Sequence, residues 1–254
     1  MVTAREFSAT YRFAVRVLRP PMRAITRRDW RGAENLPTTS GFVACSNHVS
    51  HIDPLTLSHF LVDHGWPPRF LAKEALFEVP LIGRVVRGAG QIPVRRESVD
   101  AGRALDAAIA AVRAGECVVV YPEGTITRDP DLWPMVGKTG AARIALTTGV
   151  PVIPIAQWGA QELLEPYGRR LHVFRHPLVH VWAGPPVDLT PWENEPIDAT
   201  VLARATDAIL DAITRRLEQI RGEQAPAERW DPRLHDQPLT GDFRRTAGGR
   251  REAR

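Results

Sequence analysis

Short apolar runs that alternate with segments of helical spacing constrain the fold of this chain more than any other feature. Runs of strand length lie at 41–45, 68–72, 117–121, 152–156 and 178–182. Apolar residues recur at helical spacing in 98–114, 140–148 and 199–220. This alternation predicts an α/β fold, in which one sheet is flanked by helices within a single domain.

The run 41–45 leads into a polar segment that carries the first candidate chemistry, Ser46-Asn47-His48-Val49-Ser50-His51-Ile52-Asp53-Pro54. Pro54 is typical of the first turn of a helix, so His48 and Asp53 lie in a strand-to-helix turn. A carboxylate bound to one imidazole nitrogen fixes the tautomer and leaves the other nitrogen as a general base. The alternative is that Asp53 only caps the helix beside an unrelated loop histidine.

Three further blocks follow this one: 90–96 (GQIPVRR), 121–125 (YPEGT) and 150–155 (VPVIPI). In this order the four blocks resemble those of the glycerolipid acyltransferases, the family of 1-acylglycerol-3-phosphate acyltransferases. The resemblance covers 38–160. It implies a glycerolipid-acyltransferase-like α/β domain that transfers a fatty acyl chain from an acyl thioester to a glycerol-phosphate lipid, most simply lysophosphatidic acid to phosphatidic acid in phospholipid synthesis.

The resemblance assigns roles to individual residues. His48, oriented by Asp53, removes the proton of the acceptor hydroxyl, and Arg96 binds the acceptor phosphate, for which a planar guanidinium is suited. Arg95, its neighbour in an extended segment, points the other way. The donor is acyl-coenzyme A or acyl carrier protein, and no separate cofactor is implied. The candidate substrate-binding residues are Asn47, Lys73, Arg96, Glu123, Gly124, Thr125, Arg128 and Lys138.

The third block departs from the common family pattern Phe-Pro-Glu-Gly-Thr-Arg-Ser. Tyr121 stands in place of Phe and Ile126 in place of Arg, so Arg128 is the candidate for the missing charge. Glu123 is expected to order the acceptor or the arginines of the site, while Gly124 allows close approach of the backbone. The chain has only two lysines, Lys73 and Lys138, and both lie beside the motif blocks. Surface positions are the alternative for these basic residues.

Positive charge is concentrated at the front of the chain. Residues 1–32 hold eight arginines against Glu6 and Asp29, although the whole chain has a formal net charge of only +4. Phe7, Tyr11, Ala14 and Leu18 share one face of a helix that Pro20-Pro21 is expected to end, and Arg5, Arg12, Arg16 and Arg19 share the opposite face. This pattern predicts contact with an anionic membrane surface. The alternative is a helix whose apolar face packs on the protein's own core.

These patterns divide the chain into a membrane-facing helical segment (1–37), an acyltransferase domain (38–221) and a polar, partly disordered tail (222–254). No stretch reaches the ~20 apolar residues that span a bilayer, and no secretory signal is visible. Cys45 and Cys117 lie in apolar runs, which indicates reduced, buried thiols. The expected location is therefore peripheral, on the cytoplasmic face of the cell membrane.

Three other functions remain open at this point. An acyltransferase could act on a different lipid or a glycolipid. A metal-dependent hydrolase could use His48, His51, Asp53, His59 and His64, although their spacing is unlike the metallohydrolase signature His-x-His-x-Asp-His. A lipid-binding relative without catalysis is the third. Nucleic-acid binding is not expected, because no binding motif accompanies the basic charge.

Overall fold

The computed structural model describes residues 7–94, 101–238 and 241. Its centre is a seven-stranded sheet of order β1-β7-β6-β2-β5-β3-β4. The strands are β1 (Arg27–Arg31), β2 (Phe42–Ser46), β3 (Pro68–Lys73), β4 (Ile92–Val94), β5 (Cys117–Val120), β6 (Val152–Trp158) and β7 (Leu178–Ala183). The helices are α1 (Ala9–Ile25), α2 (Asp53–Asp63), α3 (Ala75–Glu78), α4 (Ile82–Gly88), α5 (Ala101–Arg113), α6 (Gly140–Thr148), α7 (Ala160–Leu163) and α8 (Ala199–Arg221). The predicted α/β fold, a sheet flanked by helices, is confirmed.

Strand β2 lies in the middle of the sheet and pairs in parallel with β5 on one side and β6 on the other. β3 and β4 continue the parallel arrangement beyond β5. β7 is antiparallel to β6, and β1 is parallel to β7. The carboxyl ends of β2, β5, β3, β4 and β6 therefore meet at one edge of the sheet, where α/β proteins bind their ligands.

Both faces of the sheet are covered, so β2 is buried along its whole length. Alternate side chains of a strand point to opposite faces. Val43 and Cys45 pack in the cluster that includes residues of α5, α6 and α8. Phe42 and Ala44 pack on the other side with residues of α2. Cys45 and Cys117 are buried and form no disulfide, in accordance with the sequence prediction.

Helix α1 differs from the prediction, because it continues through Pro20 and Pro21 to Ile25. A proline inside a helix removes a backbone donor, but the helix holds where other contacts compensate for the lost bond. Beyond the prolines, Met22 is buried and its carbonyl accepts a hydrogen bond from the Thr26 hydroxyl. Arg19 and Arg23 both pair with Asp63 at the end of α2. These contacts attach the second half of α1 to the domain.

Two predicted segment boundaries need correction. β1 is hydrogen-bonded to β7 within the main sheet, so the sheet already includes part of the predicted helical segment 1–37. The tail also packs on the domain as far as it is described: the Trp230 carbonyl accepts from the Val136 amide (3.0 Å), and Arg229 pairs with Asp207 (3.0 Å) and Asp211. Apart from residue 241, the predicted disorder past about residue 240 lies outside the described residues.

Within the described part of the chain, no helix is both long enough and apolar enough to span a membrane.

Candidate active site

The loop between β2 and α2 brings His48 to Asp53. His48 Nδ1 lies 2.8 Å from Asp53 Oδ2. The Asp53 side chain is fully buried, while that of His48 is 14% exposed. Among the described residues no hydrogen bond occupies His48 Nε2. The pair therefore has the arrangement of an oriented imidazole with one nitrogen left for a substrate.

Asp53 also organises the loop that carries the histidine. Its Oδ2 accepts hydrogen bonds from the amides of Val49 (2.6 Å) and Ser50 (2.7 Å). An N-cap side chain would instead accept from amides inside the first turn that follows it. Asp53 is the first residue of α2 and bonds backwards to the loop, so the alternative of a merely capping aspartate does not describe this geometry.

Glu123 joins three segments of the site from a buried position. Its Oε1 accepts from the His48 amide (3.1 Å), and its Oε2 accepts from the Met135 amide (3.0 Å). The residue is 2% exposed. This differs from the expectation that Glu123 orders the acceptor or arginines, because both oxygens are engaged by backbone donors. In the structure its side chain connects the loop after β2 with the loop after β5.

Burial has an electrostatic consequence at this carboxyl. Desolvation raises the pKa of Glu123 to about 8, in spite of the opposing effect of hydrogen bonds from the amides of Met135 and His48 and from the side chain of Thr127. The negative charge of Asp53 adds to the rise. A proton on Glu123 near neutral pH removes the negative charge of this carboxyl from the neighbourhood of His48.

Tyr121 covers one face of the His48 imidazole. The two rings are stacked, with centroids 4.3 Å apart and planes inclined by 19°. Such a contact restrains rotation of the imidazole about its side-chain bonds, and a phenylalanine ring would provide the same surface. The replacement of the family's Phe by Tyr121 is thus compatible with the stacking.

Gly124 is required where it stands. Its φ is +70°, and a Cβ there would lie 3.1–3.3 Å from the outer side-chain atoms of Lys138. The side chain of Lys138 therefore runs over Gly124 at the mouth of the site. This brings together Glu123, Gly124 and Lys138 of the predicted set.

Asn47 anchors the histidine loop to the neighbouring strand. Its side chain donates to the Gln157 carbonyl (2.9 Å) and accepts from the Gln157 amide (2.8 Å). Gln157 then donates to the Ser46 hydroxyl and accepts from the Thr56 hydroxyl. Gln157 was not among the residues predicted from the sequence. The one feature that could have indicated it is an amide side chain directly after the apolar run 152–156. Asn47, predicted to bind substrate, is 1% exposed and has a structural geometry.

The remaining predicted residues lie at different depths. Lys73 is exposed at the end of β3. Thr125 is buried, with its hydroxyl 3.5 Å from that of Tyr167. Arg128 is 3% exposed and donates to the Gly241 carbonyl, so it is not presented at an open surface. Arg96 and Arg95 lie outside the described residues.

The histidines that were candidates for a metal site do not point toward a common position. His51 faces the ring of Tyr167, His59 packs edge-on to Trp30, and His64 Nδ1 lies 2.7 Å from the Phe60 carbonyl. In the ranges that the structure describes, no group of three metal-ligating side chains is close enough to hold an ion.

Comparison with known proteins decides the family. The acyltransferase family model matches 27–158, which is more than half of the chain. The chain belongs to the acyltransferase family. The resemblance found in the four sequence blocks is thereby confirmed, and the matched segment of this acyltransferase contains His48, Asp53, Glu123 and Gln157.

Relatives support the same assignment. The acyltransferase is 29% identical over 196 residues to the 1-acyl-sn-glycerol-3-phosphate acyltransferase of Borreliella burgdorferi, a match that covers 75% of this chain and 71% of that one. It is 35% identical over 143 residues to the chloroplastic 1-acyl-sn-glycerol-3-phosphate acyltransferase BAT2 of Brassica napus, with 54% of this chain and 39% of the plant protein covered. The crystal structure of the 1-acyl-sn-glycerophosphate acyltransferase PlsC from Thermotoga maritima superposes with a TM-score of 0.63 and 24% identity, covering 85% and 83% of the two chains, so it shares the fold.

The buried carboxyl of Glu123 predicts a pH-dependent stability. Below its ordinary pKa of 4.5 the group is protonated in both the folded and the unfolded chain; between 4.5 and about 8 only the unfolded chain releases the proton. The free energy of unfolding should therefore fall over this range in wild type relative to Glu123→Gln. Urea unfolding of both proteins at about pH 5 and about pH 8 measures this difference in the free energy of unfolding. The exposed Glu162→Gln is the control and should follow wild type; an equal slope in Glu123→Gln would contradict the assignment.

Proposed function

We propose that this acyltransferase transfers a fatty acyl chain from a coenzyme A or acyl-carrier-protein thioester to lysophosphatidic acid, which yields phosphatidic acid for phospholipid synthesis. The observation that carries the proposal is the 2.8 Å contact between His48 Nδ1 and Asp53 Oδ2, with the imidazole still partly exposed. Its support from relatives is that several of them are named for this reaction.

The pair suits a direct transfer. His48 Nε2 takes the proton of the acceptor hydroxyl as that oxygen attacks the thioester carbonyl. The resulting imidazolium keeps its Nδ1–H on Asp53, whose charge stabilises it. When the C–S bond breaks, the proton passes from Nε2 to the departing thiolate, and the ester remains on the acceptor. No other cofactor takes part in this sequence.

Cys45, three residues before His48, is not needed as a nucleophile. It is 0% exposed, and burial raises the pKa of its thiol far above the ordinary value. A thiol in that state is neither ionised nor accessible to a thioester. This supports transfer without a covalent enzyme intermediate.

Recognition of the acceptor phosphate is assigned to basic side chains at the carboxyl edge of the sheet. Arg96 follows β4 by two residues, Lys73 ends β3, and Lys138 lies over Gly124 beside the histidine loop. The strands β4, β3 and β5 are neighbours. A dianionic head group at this edge can contact Lys73 and Lys138, and the sequence resemblance assigns the same role to Arg96.

His48→Ala should lower kcat by about 10²–10⁴-fold, which is the usual contribution of a general base. Asp53→Asn keeps an oxygen for the loop amides but loses the charge, so its cost should be smaller. Rates are measured with labelled acyl-coenzyme A and lysophosphatidic acid, and circular dichroism checks the fold. His51→Ala, in the same loop but facing Tyr167, is the matched control. A near-normal kcat in His48→Ala would end this mechanism.

Arg96→Ala should raise the Michaelis constant for the acceptor by roughly ten- to a hundredfold, because charged hydrogen bonds are worth ~1.5–3 kcal/mol each. The constant for the acyl donor should change little. Arg95→Ala is the control, since the sequence predicts an extended segment in which neighbouring side chains point in opposite directions. If Arg95→Ala raises the Michaelis constant for the acceptor and Arg96→Ala does not, Arg95 is the phosphate-binding residue and the match to the family block is wrong by one residue. If neither matters, the phosphate is bound elsewhere or the acceptor has none.

Membrane attachment, on the cytoplasmic face, is proposed to begin at α1. Tyr11 of the predicted apolar face is buried in the domain, whereas Leu18 of the same face is 43% exposed. Phe13 and Val17 are also exposed, at 62% and 51%. On the predicted basic face Arg19 pairs with Asp63, and Arg16 is exposed. Apolar side chains flanked by arginine suit an anionic lipid surface.

Charge reversal tests this attachment. The double variant Arg12→Glu, Arg16→Glu should reduce binding to anionic phosphatidylglycerol vesicles at least about tenfold, because each basic residue near such a surface contributes about 1 kcal/mol. High salt should weaken wild-type binding in the same direction. The exposed pair Arg169→Glu, Arg170→Glu makes the same change in net charge and should have little effect on vesicle sedimentation. Equal losses in both pairs would contradict a specific role of α1.

A further inference from the structure

Exposed apolar side chains are concentrated in two elements of the described structure. Seven of its eleven exposed large hydrophobic residues lie in α1 or in the segment from α3 to α4. The second group is Leu76 (44%), Val79 (42%), Leu81 (71%) and Ile82 (50%). We call these four residues the 76–82 patch. Large apolar side chains that are exposed together in one short segment are typical of an interaction site.

The tip of the patch is a strained turn. Leu81 has φ 66° and ψ −55°, and the Ile82 amide donates to the Pro80 carbonyl at 2.8 Å. This is a γ-turn of the rare, positive-φ kind. A leucine in such a conformation costs free energy that a glycine would avoid. Such strain is retained where the surrounding structure enforces it, and it is common at functional sites.

Neighbouring contacts hold this turn rigidly. The Phe77 side chain is buried, and its carbonyl accepts from Arg87 Nη1 at 2.6 Å. The Gly83 amide donates to the Val79 carbonyl at 2.7 Å. A Cβ on Gly83 would lie 2.1 Å from the Phe77 carbonyl oxygen, so α4 packs closely on α3. Leu81 and Ile82 are therefore presented to solvent by a fixed scaffold.

The location of the patch points to lipid as its occupant. α3 begins two residues after β3 ends, at the same edge of the sheet as His48 and Glu123. α4 contacts the start of α1, where the Ser8 hydroxyl donates to the Gly88 carbonyl at 2.8 Å. The exposed Arg84, in the first turn of α4, and the arginines of α1 provide positive charge for lipid head groups and outnumber the acidic residues of the segment, Glu74 and Glu78.

We propose that Leu81 and Ile82 insert into the acyl region of a lipid bilayer and dock the active-site edge of the sheet on the membrane. The proposal rests on the proposed function, because the amphiphilic acceptor would enter from that bilayer. It differs from the attachment by α1, since insertion of apolar side chains does not depend on anionic lipid or on salt.

A fluorescent label at the tip tests insertion without reference to catalysis. Both native cysteines are 0% exposed, so Leu81→Cys can be labelled selectively with the polarity-sensitive dye NBD. Emission should rise and shift to the blue with neutral phosphatidylcholine vesicles. Phe174→Cys, at a side chain 91% exposed outside both elements, is the matched control and should not respond. No change at Leu81→Cys, or an equal change at both sites, would overturn the proposal.

Paired substitutions test whether the side chains contribute to affinity. Leu81→Glu with Ile82→Glu should lower the partition coefficient for phosphatidylcholine vesicles by roughly ten- to a hundredfold, the effect of withdrawing one to two apolar side chains from lipid. Leu171→Glu with Phe174→Glu, equally exposed, should bind as wild type does. If the first pair only converts a dimer to a monomer on gel filtration and binds vesicles normally, the patch is a contact between copies and the proposal fails.

Experiments can distinguish an error in the proposed acyl transfer from an error in the proposed membrane docking. If the proposed function is wrong, wild type does not acylate a short-chain lysophosphatidic acid dispersed below its micellar concentration, yet the label at Leu81→Cys still reports insertion. If only the docking proposal is wrong, the dispersed acceptor is acylated while the label stays silent. If docking is right, the ratio of the rates on vesicle-embedded and dispersed acceptor falls in the Leu81→Glu, Ile82→Glu variant.

Discussion

The active-site edge of the sheet depends on acceptors for three consecutive backbone amides, those of His48, Val49 and Ser50. The loop leaves the fully buried strand β2, so these donors are removed from water and need acceptors. Glu123 accepts from the first, and Asp53 accepts from the other two. An unsatisfied buried donor costs about 1–3 kcal/mol, so loss of either carboxylate would release the loop. His48 is held in position because its own backbone amide and those that follow it are hydrogen-bonded.

The same constraint explains the unequal chemistry of the two carboxyls. Both are buried, but Asp53 carries the imidazole contact, and Glu123 bonds only to backbone and to a hydroxyl. Burial raises the pKa of Glu123 to about 8, which keeps a second negative charge away from the pair near neutral pH. Asn47 and Gln157 complete the arrangement from the β6 side without any ionised group.

Helix α1 and the 76–82 patch show that tertiary packing, and not apolar periodicity alone, determines which apolar side chains are exposed. The alternation in α1 predicted one apolar and one basic face, yet Tyr11 is buried in the domain and Arg19 binds Asp63. The exposed apolar side chains of α1 are Leu18, which belongs to the predicted apolar face, and Phe13 and Val17, which do not. Similarly, the exposure of Leu81 follows from a γ-turn fixed by Phe77 and Gly83, which are contacts between short helices. Which apolar residues remain exposed depends on which positions the core leaves uncovered.

The sequence by itself determined the fold class, most helices and strands to within a few residues, and the pairing of His48 with Asp53, because apolar periodicity and turn residues are local signals. It also determined the family, through four short blocks in order. It missed β1, whose charged sequence Arg27–Arg31 has no strand pattern and pairs only with the distant β7. It ended α1 at the prolines, and it contained no sign that Glu123 and Asn47 bond to the backbone of His48, Met135 and Gln157. Only the tertiary structure decided these points, since they depend on which buried donors and acceptors, far apart in the chain, meet when the sheet forms.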